Sequence, residues 1–232
     1  MKKIKYSVVI PSKDELAYVG KCIASVKKQG RRDVEIIVVD SGTDRTMKIA
    51  KRMGARVYWQ SPRGPGPARN IGAKKAKGSV FVFLDADSRL PKNFFSTLDK
   101  NLDGKVGGGI FSLKPYDAES SEGFITYNIA VSVARFFISL GHPLTIGSCF
   151  VYRKNVFERT GGFDESMVTN EDHDLAVRAH KIARFVFLEG ATVEVSMRRV
   201  RKWGLFKSTM VYLASTLLFF FGKGTLRWYW DK

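Results

Sequence analysis

Through the first ninety residues, apolar blocks four to seven long each end in a small cluster of polar residues. Residues 6–11, 34–39 and 56–59 and Val80–Leu84 read as strands: short, rich in Val, Ile and Phe, and bounded by turn formers. Val80–Leu84 is apolar throughout and lies between Gly78-Ser79 and Arg89-Leu90-Pro91. Such a run predicts a strand buried on both faces, as in a parallel sheet covered by helices. Between these blocks the period changes to that of a helix. Residues 15–28 carry Leu16, Val19, Ile23 and Val26 at helical spacing, and residues 45–53 and 67–76 form two further helical patterns. Alternation of this kind predicts a doubly wound, mostly parallel α/β sheet flanked by helices.

After residue 100 the rhythm loosens. Residues 106–113 predict a strand containing three consecutive glycines, and residues 123–140 a long apolar helix interrupted by Arg135. A strand is expected over 148–152, a helix starting near Asn170, and one or two strands over 185–195. No repeat or low-complexity linker breaks the chain. The reading is a catalytic body over 1–202, including a smaller acceptor-side part, and a C-terminal apolar helix region over 203–232. The apolar run 209–221 is shorter than the ~20 residues a bilayer span requires. It is flanked by Lys207, Lys223 and Arg227 and followed by Trp228-Tyr229-Trp230. Basic and aromatic flanks suit a helix lying in a membrane interface, and a core or dimer-interface helix is the competing reading.

Composition sharpens this. Lys and Arg number 39 against 22 Asp and Glu, a formal net charge of +17. That excess suits polyanionic partners: nucleic acid, anionic lipid headgroups or diphosphates. Cys22 and Cys149 make neither a zinc spacing nor a disulfide framework, which points to a reducing compartment. The N-terminus runs directly into a strand pattern without a signal-peptide core, so a cytoplasmic location is expected, with peripheral attachment to the cytosolic face of a membrane.

The chemistry gathers at strand ends, where open α/β sheets bind ligands. Pro11-Ser12-Lys13-Asp14-Glu15 follows the first strand and Asp40-Ser41-Gly42-Thr43-Asp44 the second. Gly64 to Asn70 follows the third, and Asp85-Ala86-Asp87 the fourth. Asp85 and Asp87, one residue apart on an extended chain, would face one metal–phosphate assembly; helix capping is the plainer alternative. The pattern Gly64-x-Gly66-x-x-Arg69 imitates a dinucleotide fingerprint but follows the wrong strand and holds two prolines, which disfavours an oxidoreductase.

These motifs resemble the inverting family-2 glycosyltransferases of the GT-A fold. The resemblance runs through Val-Val-Ile-Pro11 and Glu15, Val-Val-Asp40-Ser-Gly, Ala68-Arg69-Asn70-x-Gly72 and Phe-Leu-Asp85-Ala-Asp87. It continues at Gly147-Ser148-Cys149-Phe150, Gly161-Gly162-Phe163-Asp164-Glu165 and Asn170-Glu171-Asp172-x-Asp174-Leu175-x-x-Arg178. It implies a nucleotide-sugar donor, a UDP- or GDP-sugar, and a Mn²⁺ or Mg²⁺ cofactor. Pro11, Ser12 and Glu15 would shape the base and ribose side, with Asp40 bonding the base beside Ser41 and Gly42. Arg69 and Asn70 would contact the base or diphosphate. Asp85 would hold the ribose or a water, Ala86 would line the pocket, and Asp87 would bind the metal, with Asp85 a second candidate ligand.

Asp172 would be the catalytic base, with adjacent Glu171 competing for that role or orienting the acceptor. Capping offers another account of this acidic group: Asn170 as N-cap and Asp174–Arg178 as an i,i+4 pair. Where many relatives carry a late histidine ligand, this sequence has Val193 to Arg199; Arg198, Arg199 and Arg201 would serve a donor or acceptor phosphate instead. His142, His173 and His180 form no metal pattern, and His173 reads as a bystander beside the acidic motif or a minor acceptor contact. The acceptor implied is a polyprenyl phosphate or lipid-linked glycan, as in dolichyl-phosphate sugar synthases, with Arg135 and the C-terminal segment as a groove for the carrier. Three rivals stay open: a soluble glycosyltransferase acting on a small molecule or protein, a sugar-phosphate nucleotidyltransferase, and a basic nucleic-acid-binding module. No specific nucleic-acid motif is present.

Overall fold

The computed structural model describes residues 3–61, 64–118 and 121–221. The basic and aromatic residues at 223–230 lie outside these. The chain opens with β1 (Tyr6–Ser12), α1 (Val19–Lys27), β2 (Val34–Asp40), α2 (Thr46–Arg52), β3 (Arg56–Trp59), α3 (Pro65–Lys75) and β4 (Val80–Leu84). There follow α4 (Phe94–Asn101), β5 (Val106–Pro115), α5 (Ser121–Ser139), β6 (Cys149–Arg153), α6 (Lys154–Arg159), α7 (Glu171–His180), β7 (Arg184–Val195), α8 (Arg198–Trp203) and α9 (Leu205–Phe220).

The strands form one sheet in the order β3-β2-β1-β4-β6-β5-β7. β1 pairs in parallel with both β2 and β4, and β2 with β3, as the alternating pattern predicts. β6 is antiparallel to β4 and β5, so the sheet is mostly parallel with one reversal next to the site. That reversal seats Cys149 beside Leu84 and lets Asp85 N–H donate to the Ser148 carbonyl at 2.9 Å.

Strand alternation assigns side chains to two cores, one on each face. Val80, Val82 and Leu84 join the cluster beneath α1 and α4, while Phe81 and Phe83 join the cluster beneath α3 and α7. On that second face Phe83 meets Phe163 edge-on, centroids 5.1 Å apart. Helix α3 lies close on β1 because Gly72 has no side chain: a Cβ there would stand 2.2 Å from Val9 Cγ1. This contact anchors α3, and with it Arg69 one turn earlier, on the sheet.

The structure departs from the sequence reading in several places. Helix α1 begins at Val19 rather than 15, because residues 15–18 are bound into the loop after β2: Glu15 N–H donates to Thr46 Oγ1 at 2.8 Å and Leu16 N–H to Asp44 Oδ2 at 3.1 Å. Residues 184–195 make a single strand, irregular where Phe111 and Ser112 meet it. Short helices α4, α6 and α8, each two turns or fewer, carry too little periodicity to be read. Arg135 finds an anionic partner in Glu189 on β7 and stacks over Phe187, Cζ 4.8 Å from the ring centre. Among the described residues no helix is long and apolar enough to cross a membrane.

Candidate active site

The loops after β1 and β2 are built against each other. Asp14 Oδ1 accepts from Thr43 N–H at 2.8 Å, and a Cβ on Gly42 would stand 2.4 Å from Asp14 N, so only glycine fits. Ser12 Oγ donates to Asp40 Oδ1 at 2.6 Å, and Ser41 N–H donates to the Ser12 carbonyl at 2.9 Å. Asp40 is buried, and its Oδ2 has no hydrogen-bond partner among the described residues. Burial raises the Asp40 proton affinity. A buried carboxylate oxygen without a donor is costly, and an N–H on a ligand edge would satisfy it.

At the end of β4 the chain turns at once. Ser88 N–H donates to the Asp85 carbonyl at 3.0 Å, so Asp85 and Asp87 lie in a tight turn, not on the extended chain expected from their spacing. They face different cations. Asp85 Oδ1 pairs with Arg69 Nη2 at 2.9 Å, while Asp87 Oδ2 pairs with Arg198 Nε at 2.8 Å. Ala86 between them points into the core. Asp87 has its proton affinity raised, chiefly by burial and against the pull of Arg198.

Arg198, on α8, also forks onto Glu15: Nη1 to Oε2 at 2.6 Å, and Nη2 to Oε1. Its guanidinium lies over the Tyr18 ring, Cζ 4.8 Å from the centre. Burial pushes the Glu15 carboxyl up to about 7 despite this fork. Arg201 turns elsewhere, to Asp117 Oδ2 at 2.9 Å, and ties α8 to the end of β5. Arg199 stacks over Trp203 at 5.9 Å. Of the three expected phosphate-binding arginines, Arg198 is bonded into the acidic cluster.

Arg69 is buried between two carboxylates, Asp85 and Glu171, with Nη1 2.6 Å from Glu171 Oε1. Its Cζ stands 5.0 Å and 5.5 Å from the ring centres of Phe150 and Phe163. Both its hydrogen-bonding ends point to protein, so it bridges the two acidic motifs where a contact to the base or diphosphate was expected. Asn70 is likewise spent on the fold: its amide brackets Phe163, donating to the carbonyl and accepting from the N–H, each at 2.9 Å.

Glu171 and Asp172 open α7. Burial pushes Glu171 up to about 7, against the nearby Arg69. Asp172 is held below its usual range although burial opposes this, because His173, Thr145 and Arg69 favour its charged form. Its Oδ2 accepts from Thr145 Oγ1 at 2.7 Å and from Gly147 N–H at 3.2 Å, and its Oδ1 from His173 N–H at 3.0 Å. Burial lowers the proton affinity of His173, whose Nδ1 accepts from Thr145 N–H at 3.2 Å and whose ring packs on Phe219 of α9 with centroids 5.8 Å apart. It is therefore a built part of the site rather than a bystander. Thr145 belongs to no motif, and nothing in the sequence marks it. Asn170 stands at the N-cap position with φ 63° but makes no cap bond; its amide donates instead to Ser215 Oγ and to the Ser215 carbonyl, at 2.8 and 3.0 Å. The Asp174–Arg178 ion pair forms as the spacing predicts.

Carboxylates and guanidinia thus alternate along the sheet edge: Glu15, Arg198 and Asp87 in one group, Asp85, Arg69 and Glu171 in the next, with Asp172 beside it. Among the described residues no group of three or more His, Cys, Asp or Glu side chains could hold a metal ion unaided. Two hard carboxylates that leave further coordination to donor phosphates and water are still a suitable set for Mg²⁺ or Mn²⁺.

The comparisons with known proteins agree with this geometry. The chain is 28% identical over 191 residues to an uncharacterised glycosyltransferase of Rickettsia typhi, covering 78% of this chain and 60% of the relative. It is 26% identical to the uncharacterised glycosyltransferase EpsJ of Bacillus subtilis, over 78% of this chain and 57% of that one. The chain therefore spans about three fifths of the length of these curated relatives. Among solved structures, the mannosyltransferase PcManGT of Pyrobaculum calidifontis in complex with GDP-Man and Mn²⁺ superposes with a TM-score of 0.74 at 19% identity, covering 94% of this chain and 63% of that one. TarS of Staphylococcus aureus in complex with UDP-GlcNAc superposes at 0.68 and 20% identity, covering 84% of this chain and 59% of that one. Residues 7–161 match the model of glycosyl transferase family 2. With the GT-A sheet and its acidic edge, this chain belongs to glycosyl transferase family 2.

Proposed function

We propose that this glycosyltransferase moves a sugar from a nucleotide-diphosphate donor to an acceptor with inversion, assisted by a divalent cation. The observation that carries the reading is Arg69, which joins the end of the β4 turn to the start of α7. Donor-side and acceptor-side carboxylates are thereby held on one rigid edge. Asp40 and Ser12 would receive the base, with Pro11, Ser41 and Gly42 shaping its walls. Asp87, with Asp85, would hold the cation, which neutralises charge growing on the leaving diphosphate. Arg198, whose Nε holds Asp87 and whose fork holds Glu15, would exchange these carboxylates for the diphosphate, which its guanidinium is shaped to bind.

Asp172 is the base. As the acceptor oxygen attacks the anomeric carbon, its proton passes to Asp172 and the carbon–oxygen bond to the diphosphate breaks on the opposite face. Glu171 has the higher proton affinity, but Arg69 and burial seal it from an acceptor. Thr145 and Gly147 aim Asp172 by bonding one of its oxygens. We assign the acceptor to a polyprenyl phosphate or lipid-linked glycan at the cytosolic membrane surface, because α7 is bonded directly to α9, the most apolar helix of the chain. A soluble acceptor is the alternative. Family membership removes the support for the nucleotidyltransferase and nucleic-acid readings.

A thermal-shift panel of UDP, GDP, CDP, dTDP and their sugars, with and without Mn²⁺, tests the donor half. A selective shift that grows with Mn²⁺ is expected. Absence of any shift across the panel would overturn the donor assignment.

A further inference from the structure

Helix α9 is built inside out. Ser208, Val211 and Ser215 face the protein and are buried, while Phe206, Met210, Leu213 and Leu217 run along the opposite side and are exposed, Phe206 to 79%. An amphipathic helix on a water-facing surface has the reverse arrangement. Helix α5 repeats the anomaly in another form. Val131, Ala134 and Ile138 bury one face against the sheet, yet Ile125, Ile129 and Phe136, on the far side, are more than half exposed. A helix apolar all round needs an apolar environment on both sides. The two helices are linked through α8: a Cβ on Gly123 of α5 would stand 2.5 Å from Met197 Sδ, Met197 is the residue that leads into α8, and α8 packs on α9. Exposed apolar area on this scale marks a binding surface.

We propose that α5 and α9 together form a docking platform for an anionic lipid bilayer, seated in the interface without crossing it. This deepens the lipid-acceptor reading above and rests on it. Charge selects the occupant. From Arg198 to Trp230 the sequence has no acidic residue, and Arg199, Lys202 and Lys207 fall within α8 and the first turn of α9. The chain carries +17, so a second copy on this face would bring like charge to like charge, whereas anionic headgroups attract it. A bilayer also satisfies a long apolar stripe without matching pockets. Docking has a consequence for chemistry. Asn170 bonds Ser215, and His173 packs on Phe219, so Asp172 lies between them on the element that α9 supports. Seating α9 in the interface places the base at headgroup level, where a lipid-borne acceptor presents its polar end.

The test is vesicle co-sedimentation of the whole chain with phosphatidylcholine alone and with added phosphatidylglycerol. Leu213→Ser/Leu217→Ser alters α9 and Ile129→Ser/Phe136→Ser alters α5; all four positions are exposed, so folding is expected to survive. Wild type should bind the anionic vesicles, release in high salt, and lose at least about tenfold in affinity in each double variant, because interfacial binding follows buried apolar area and charge. Failure to bind anionic vesicles, or binding untouched by either pair, overturns the platform. So does a lipid-free dimer in light scattering that the same substitutions dissociate, which would make the face a contact between copies. Nucleoside-diphosphate thermal shifts, measured in parallel, separate the two claims: a donor shift without lipid binding sinks the platform alone, and lipid binding without a donor shift sinks the donor assignment alone.

Discussion

The donor half, β1 through the β4 turn, and the acceptor half, β5 through α9, treat their apolar residues in opposite ways. In the first, Leu16 and Trp59 are the large apolar side chains left exposed among the described residues. Polar atoms at its strand ends bond one another across neighbouring loops, as Ser12 does with Asp40 and Asp14 with Thr43. In the second, two helices direct whole apolar faces outward. On the proposed reading, the donor half is a cradle for a small polar ligand, and the exposed apolar faces of the acceptor half complete their burial against a bilayer. Arg69 and Arg198 couple the two halves: Arg69 draws one carboxylate from each half, and Arg198, from the acceptor half, holds Glu15 and Asp87 of the donor half.

Substitutions can break this division. Asp172→Asn should leave donor affinity intact and lower transfer to a hydroxyl acceptor by about 10²–10⁴, the usual worth of a positioned base. Near-normal turnover would place the base elsewhere. Asp87→Ala acts on the other half: titration calorimetry with Mn²⁺ and a nucleoside diphosphate should show a loss of roughly tenfold to a hundredfold, comparable to other damage to a metal site. Unchanged binding would remove Asp87 from the cation site. Arg69→Met strikes the coupling itself and strands Glu171 without its cation. Urea unfolding should lose about 3 kcal/mol, the low end for a broken buried pair because Asp85 is partly solvated. A change near zero would mean that the bridge holds nothing together.

Milder tests sharpen the comparison. Glu171, raised to about 7 by burial, keeps its proton when folded over a pH range in which the unfolded chain has released it. Stability should therefore fall as pH rises from about 4.5 to about 7, and be level in this contribution above that. Glu171→Gln should flatten that part of the melting-temperature profile; an identical slope would show that Glu171 is ionised throughout. Arg198→Gln has the smallest expected effect. Removing the guanidinium from Asp87, which is largely buried, should strengthen donor-free Mn²⁺ binding about threefold by electron paramagnetic resonance, in line with a pair that is partly exposed on the arginine side. Weaker binding would show that Arg198 supports the cation site rather than competing for it.

The parallel strands β1 to β4 were legible because each is a short apolar block with turn residues at its ends, and the acidic motifs followed at those ends. Asp40, Asp85, Asp87, Glu171 and Asp172 all reach the same sheet edge. The roles of Arg69 and Asn70 were not legible. Their motif marks them, but whether an arginine faces a ligand or two carboxylates depends on residues 16 and 102 positions away. Thr145 had no signal at all, since one threonine in a loop carries no period.

Local order is what the sequence determined alone: which segments are strands and helices, that the sheet is mostly parallel, and which polar residues end the strands. These follow from periodicity and turn chemistry, which act over a few residues. Tertiary structure decided the partners. It reversed β6 beside β4, set Arg198 on Glu15 from 183 positions away, and turned Ser208 and Ser215 of α9 inward and Phe206, Leu213 and Leu217 outward. Such choices depend on which surfaces meet when the chain closes, and a charge or an apolar stripe has no fixed partner until it does.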